Sequence, residues 1–444
     1  MRADAVSDDA RAAWPDDPRS ERTGLPLEGV RVLDLSRILA GPLCVLVAAD
    51  LGADVIKVEA PVHGDGIRAF APPSFGPDAT YYLAVNRNRR SVVADLSTDE
   101  GRGLVATLAR AADAVVENFL PHQLGPLGLE ALRDELDDVV WVSVRGAAST
   151  GPLADAPSFD LLAQARSGLM GVTGTPDGPP LKVGAPVADV VTGLYAAAAL
   201  LAGLYARRGG RSHRFEVPLL EATVTALVNQ AQGYLVTGED PGRLGNDHPS
   251  IAPYGPVATK EGDLIIAVAT SSQFASLCGV LDDDAIAADP RFATNEGRVA
   301  NRAALDEALA RAFASRTATE WAALLVQAQV PCGPVHGVAS AIEDPQVRGG
   351  GLVTTATTEA GTFETLRSPI LVDGAWLPVR RSPPALDQDG DEVRDAVAPR
   401  RGRRTASSSS ATTPHPPCRP SRGSATDGAG ATSRPRWTPA TSTC

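Results

Sequence analysis

Lysine is almost missing: Lys57, Lys182 and Lys260 are the three in a chain of 444 residues that carries 38 arginines. With a formal net charge of −12 at pH 7, the chain offers no bulk basic surface, which excludes nucleic acid as a partner recognised by charge. Cysteine is scarce too. Cys44, Cys278, Cys332, Cys418 and Cys444 form no CxxC pair, which excludes a zinc ribbon and a disulfide scaffold and makes a reducing cytoplasm the expectation. The six histidines are scattered without HExxH or other metal spacing, so no metal site is expected. No GxxxxGK[ST] loop and no GxSxG elbow occur, which removes the P-loop nucleotide enzymes and the serine hydrolases built on that elbow. The first 24 residues contain no apolar stretch of signal-peptide type. The longest apolar run, Val190 to Ala206, is rich in Ala and Gly. It falls at the short end of a membrane span of ~20 residues and is expected as a buried helix of a protein with no membrane partner.

What is present is enough apolar material for a sizeable core, 43% of the chain, in a length that implies roughly two to three units. The charge is uneven. From Ala396 onward eight arginines face the single acid Asp427, leaving −19 for the rest. Residues 1–24 read as a disordered leader. Residues 396–444, dominated by Arg, Ser, Thr, Pro, Ala and Gly, read as a disordered basic tail.

Between them, strand and helix patterns alternate. GVRVLDLS (29–36), DVIKVE (54–59), the run 91–96, DAVVEN (113–118) and VVWVSV (139–144) are strand-like. Helical patterns fall near 43–51, 101–111 and 123–136, with further helices starting near Asp160 and Asp189. This order predicts an α/β fold with a mainly parallel sheet, whose ligands gather beyond the carboxyl ends of the strands. PVATKEGDLIIAVA (256–269) predicts a hairpin turning at Gly262-Asp263, and Thr317-x-x-Glu320 a capping box. Segments 352–357 and 362–366 predict strands rejoining a sheet.

Gly101-Arg-Gly103-Leu-Val-Ala106 matches a dinucleotide fingerprint. A capping box at Ser97-x-x-Glu100 explains the same helix start without a ligand, and Asp99 and Glu100 would repel a pyrophosphate. His248, in GNDHPSIAPYG, could line a pocket or sit on a surface loop. Asp189 opens the long apolar helix. It reads equally as a helix N-cap and as a shielded carboxylate able to attack an activated acyl group. Asp160, in PSFDLL, reads as a cap.

A resemblance bears on these alternatives. LEGVRVLDLSRILAGPLCVLVAADLGADVIKVE, RRSVVADLSTDEGR, ADAVVENF, PSFDLLAQARSGLMGVTGTPDGPP, VADVVTGLYAAAALLAGLYAR, RLGNDHPSIAPYG, DPRFATNEGRVANR and VPCGPV together resemble the class III CoA-transferases, the family of formyl-CoA and carnitine CoA-transferases, over about residues 25–390. The run from Gly193 to Tyr254 is most similar to the branch using succinyl-type dicarboxylic acyl groups. The resemblance implies a Rossmann-like large domain (25–219, closed by 336–395), a smaller α+β domain (220–335) and an interlocked homodimer. It also implies an acyl-CoA donor and a carboxylic acid acceptor as substrates, with no permanently bound cofactor. Asp189 takes the place of the family's catalytic aspartate. Leu39, Ala40, Ala94, Asp95, Leu96, Ser97, Asn118 and Phe119 fall at coenzyme A contact positions. Arg89, with Arg87 and Arg90, is either a partner for coenzyme A phosphates or part of a solvated basic run.

The chain departs from the family pattern at Ala60, at Leu120-Pro121-His122, at Pro126 and at Gly146-Ala-Ala-Ser149. Basic or glycine-rich residues are usual at those places. A non-catalytic acyl-CoA binder is therefore the alternative. α-Methylacyl-CoA racemase, which shares the fold, places a proton-transferring His where this chain has Phe159.

Overall fold

The computed structural model describes residues 13–17 and 23–398; the tail expected at 396–444 lies almost wholly outside them. Six strands form the central sheet: β1 (Arg31–Asp34), β2 (Asp54–Glu59), β3 (Arg90–Val93), β4 (Ala114–Glu117), β5 (Val140–Arg145) and β6 (Arg214–Pro218). Their order is β3-β2-β1-β4-β5-β6 and every neighbouring pair is parallel. That is the order of a Rossmann sheet, whose direction of winding reverses between β1 and β4.

Strands β1 to β5 are buried on both faces, as a covered parallel sheet requires, while the edge strand β6 is largely exposed. Along β1, Leu33 joins Ile56, Val92, Val115 and Trp141 on one side. Val32 joins Val55, Val116, Val140 and Val142 on the other. Four helices position the site: α1 (Ala40–Asp50) and α4 (Val187–Arg208) on the second face, α2 (Asp99–Ala111) on the first, and α3 (Asp160–Arg166) beside α4. α4 lies on the second face against α1 and β5. Two glycines allow the approach. A Cβ on Gly193 would come 2.8 Å from the Ala40 carbonyl, and one on Gly203 2.5 Å from Val140. By length and composition α4 could cross a membrane, yet one of its faces is packed into this core while Leu194, Tyr195 and Tyr205 stay exposed. It is thus half-buried rather than the fully buried helix expected.

A separate core forms around an antiparallel sheet of β7 (Tyr254–Ala258), β8 (Asp263–Ala267) and β9 (Cys332–Pro334), with α5 (Ser271–Leu281), α6 (Arg302–Phe313) and α7 (Ala318–Gln327). The β7–β8 hairpin turns at Gly262, φ +79°. Thr317 and Glu320 make the reciprocal cap of α7. Further on, β10 (Val353–Thr358) and β11 (Gly361–Leu366) pair, among the described residues, only with each other. They do not rejoin the large sheet as expected, because their alternating half-buried pattern suits a two-stranded hairpin. The chain nevertheless returns to the sheet. Asp389 exchanges hydrogen bonds with Ser91 on the open edge of β3, Asp387 accepts from the Val93 amide at 2.7 Å, and α8 (Gly390–Val397) packs beside α2.

Two local expectations change. The cap of α2 is Thr98, not Ser97: the Thr98 hydroxyl accepts from Gly101 N, whereas Ser97 turns back to Asp95. Gly101 is required by packing rather than by a ligand, since a Cβ there would lie 2.0 Å from the Asp95 carbonyl. The leader is not wholly disordered either. Trp14 is buried at 4% exposure in the main core, and its indole donates to Asp54 at 2.7 Å. An indole body and one N–H suit a site half apolar and half charged.

Candidate active site

Asp189 is the third residue of α4, whose N-cap is Pro186. It is therefore not the N-cap, and its carboxylate is free to point away from its own helix end. The capping is done from outside. Asp160 Oδ1, at the start of α3, accepts the amide of Ala188 at 2.9 Å and of Asp189 at 3.4 Å, while Oδ2 accepts from Gln164 at 2.7 Å. Gln164, fully buried, accepts the Val183 amide through its own oxygen at 2.8 Å. Asp160 is thus a cap, as its pattern suggests, but of a helix other than its own.

This arrangement holds two carboxylates close together. Among the described residues no side chain hydrogen-bonds to the half-buried Asp189 carboxylate. Burial first, and the Asp160 charge second, push its pKa up to about 7. Tyr81 shares the environment: burial and the nearby charges of Asp189 and Asp160 push its phenol up to about 12. Sequence reasoning missed both Tyr81 and Gln164. A tyrosine in TYYLAVN and a glutamine in a helix carry no pattern signal, and only the fold brings them here.

Leu39 and Ala40 begin α1, and the Ala40 carbonyl abuts Gly193, one helical turn beyond Asp189. The structure thus brings these two candidates against the helix that carries the aspartate. Asn118 and Phe119 lie just past the carboxyl end of β4, at the reversal of the sheet. The Asn118 amide side chain both accepts the Arg37 N–H at 2.9 Å and donates to the Arg37 carbonyl at 2.7 Å, zipping the β1 and β4 loops together. The Arg37 guanidinium sits 4.7 Å from the centre of the Phe119 ring. Beneath them a buried Arg145–Glu117 pair fixes the turn, with Arg145 also donating to the Phe119 carbonyl at 2.6 Å. Ala94, Asp95, Leu96 and Ser97 follow β3 on the same carboxyl edge of the sheet. The Asp95 carboxylate closes on the amide and hydroxyl of Ser97, which holds it ionised below the usual range.

Arg89 does not fit a phosphate-binding role. It is 1% exposed, and its guanidinium is engaged by Asp34 at 2.7 Å, Asn86, and the carbonyls of Pro42 and Val85. Arg87 pairs with Asp50 and Arg90 with Asp54 and Glu392. The basic run is neither solvated nor ligand-facing: Arg87 and Arg89 neutralise the buried Asp50 and Asp34, and Arg90, itself buried, pairs with the partly exposed Asp54 and Glu392. His248 accepts the Ser250 amide through Nδ1 at 3.1 Å and packs at a tilt against Tyr254, so it orders its own loop. Phe159 is exposed and supplies no proton-transferring group beside Asp160.

Comparison of the whole chain with known proteins bears on this carboxylate, which has no side-chain hydrogen-bond partner among the described residues. The family model for CoA-transferase family III matches residues 27–390. A succinate–glutarate CoA-transferase of Agrobacterium fabrum is 40% identical over 378 residues, 83% of this chain and 94% of that protein. Human succinyl-CoA:glutarate CoA-transferase is 36% identical over 347 residues, 77% of this chain and 79% of that one. The crystal structure of a CAIB/BAIF family protein from Brucella suis superposes with a TM-score of 0.74 at 39% identity, covering 84% of this chain and 99% of that one. The chain therefore belongs to CoA-transferase family III and is a class III CoA-transferase.

Proposed function

We propose that the enzyme moves coenzyme A between a succinyl-type acyl-CoA and a second carboxylic acid, with Asp189 as the covalent nucleophile. The observation that carries this reading is the Asp189 carboxylate itself: half-buried, free of cationic partners among the described residues, and shielded enough to sit at a pKa of about 7. A poorly solvated carboxylate is more nucleophilic than one in water. The names of the dicarboxylate-using relatives support the substrate class.

The Asp189 oxygen attacks the thioester carbonyl, the C–S bond breaks, and the products are a mixed anhydride and coenzyme A thiolate. The thiolate attacks the aspartyl carbonyl, expelling the donor as its carboxylate and leaving an aspartyl thioester. An acceptor carboxylate attacks that thioester, and the returning thiolate attacks the acceptor's carbonyl in the new anhydride. Acyl-CoA leaves and Asp189 is regenerated, with no net proton consumed. Each attack builds an oxyanion. The first turn of α1 has no side-chain cap, so the Ala40 and Gly41 amides lack intrahelical acceptors and provide donors of the kind such charge needs.

The enzyme is, on the same proposal, a homodimer in the cytoplasm. Exposed apolar side chains on α3 and α4 (Leu161, Leu162, Leu194, Tyr195 and Tyr205) support a covering second copy, and the unpaired Cys44, Cys278 and Cys332 support a reducing compartment. Incubation with succinyl-CoA and a panel of dicarboxylic acids, followed by mass spectrometry, tests the chemistry. New coenzyme A esters and a trapped Asp189–coenzyme A adduct are expected. Tight coenzyme A binding without exchange would favour a binding protein instead. Sedimentation at the monomer mass would remove the dimer.

A further inference from the structure

Ile38 has φ +71°, a left-handed backbone conformation that a β-branched residue keeps only where its neighbours enforce it. The neighbour here is Asp65. Its Oδ1 accepts the Ile38 amide at 3.0 Å, and Oδ2 lies 3.3 Å from the same nitrogen. The Lys57 ammonium sits 2.9 Å from Asp65 Oδ2 and donates to the Ser36 carbonyl at 2.8 Å. Lys57 and Asp65 together grip both ends of the tripeptide Ser36–Ile38. Both are buried, at 0% and 1% exposure. Asp65 is held in turn through its own amide by Glu59 at 2.9 Å.

A buried ion pair is a poor way to gain stability, because desolvation offsets most of the attraction. It is a good way to hold a backbone still. The residue type agrees: in a chain that uses arginine almost everywhere, this position keeps one of three lysines. A compact ammonium can serve Ser36, Asp65 and the nearby Asp34 (3.7 Å) from one point, where a planar guanidinium fork could not. The segment being gripped leads directly into Leu39 and Ala40, and the Ala40 carbonyl packs on Gly193 one turn from Asp189.

We propose that Lys57 and Asp65 are positioning residues of the acyl-transfer site, holding Ser36–Ile38 in its left-handed turn so that this loop and the first turn of α1 meet the acyl group beside Asp189. The inference rests on Asp189 being the nucleophile. Asp65→Ala is expected to lower kcat for coenzyme A exchange by about 10–100-fold, the scale of a loop misplaced by an ångström. Adding Ile38→Gly to that variant restores kcat about tenfold, since glycine adopts the left-handed conformation unaided. Losses that merely multiply, with no rescue, overturn the proposal, as does full kcat in folded Asp65→Ala. If Asp65→Ala does not fold, Asp65→Ser, whose shorter side chain cannot reach the Ile38 amide, is read in the same way: loss with rescue supports the grip, and wild-type kcat overturns it. Single-turnover mass spectrometry separates this from the underlying reading. Asp65 variants form the Asp189–coenzyme A adduct slowly and Asp189→Asn forms none. Full exchange by Asp189→Asn would remove the nucleophile itself, whereas failed rescue removes only the positioning role.

Discussion

The Asp160 carboxylate caps the helix that carries Asp189, accepting the Asp189 amide at 3.4 Å and that of Ala188 at 2.9 Å. One group therefore fixes the Asp189 backbone and opposes the ionisation of its side chain.

Activity should report that opposition. Attack needs the ionised form, so kcat/KM for the acyl-CoA is expected to climb with pH through about 7, falling tenfold per unit below it. Asp160→Asn keeps an oxygen for the Ala188 amide but removes the like charge. The acid limb then moves to lower pH while staying above the ordinary aspartate value, because burial is the larger cause. A pH–rate profile that does not move would refute the coupling.

Stability has the opposite slope. A carboxyl group whose pKa is raised from 3.8 to about 7 on folding binds more protons folded than unfolded between those values. The folded state thus loses stability as pH rises through that window. Asp189→Asn should raise the melting temperature at pH 8 by ~2 °C or more, and by less at pH 5. Equal shifts at both values would show that the carboxylate is not strained in the fold.

Gly193 keeps α1 and α4 in contact. Gly193→Val must push the Ala40 carbonyl and the Leu43 side chain, 2.8 and 3.0 Å from even a bare Cβ. Overpacking of this kind costs about 1–3 kcal/mol, and, on the proposed function, exchange activity should fall further than stability because the displaced turn adjoins the helix of Asp189. Denaturant titration beside kinetics checks the pair.

Arg89 separates a structural cation from a ligand contact. Arg89→Met leaves Asp34 buried beside a neutral side chain, with an expected loss of ~3–5 kcal/mol. A variant of normal stability with a raised KM for acyl-CoA would reinstate the phosphate role. Trp14→Ala should likewise destabilise the fold by ~3 kcal/mol, measurable by urea unfolding; an unchanged midpoint would return residue 14 to a loose leader.

These residues also mark where the sequence was legible. The apolar β-rich runs GVRVLDLS and DVIKVE, with helical patterns between successive strands, exposed the parallel sheet because such runs have few other fates, and the resemblance through VADVV pointed to Asp189. Arg87–Arg90 misled because a run of cations looks like surface until their partners, Asp50, Asp34 and Asp54, are brought in from distant segments. Trp14 was hidden among acids, and its partner Asp54 lies forty residues on. Asp160 shows the same limit. Capping residues are read from their own helix, and nothing local in PSFDLL says that the carboxylate serves α4.

The late return of the chain to β3 has a consequence for synthesis. Among the described residues, Ser91 and Val93 find their outer partners in Asp389 and Asp387, some three hundred residues downstream. On the ribosome that border of the sheet stays open while nearly all of the remaining protein is made. An unpaired strand margin is adhesive, so a nascent chain truncated before residue 387 is the species from which aggregation should begin.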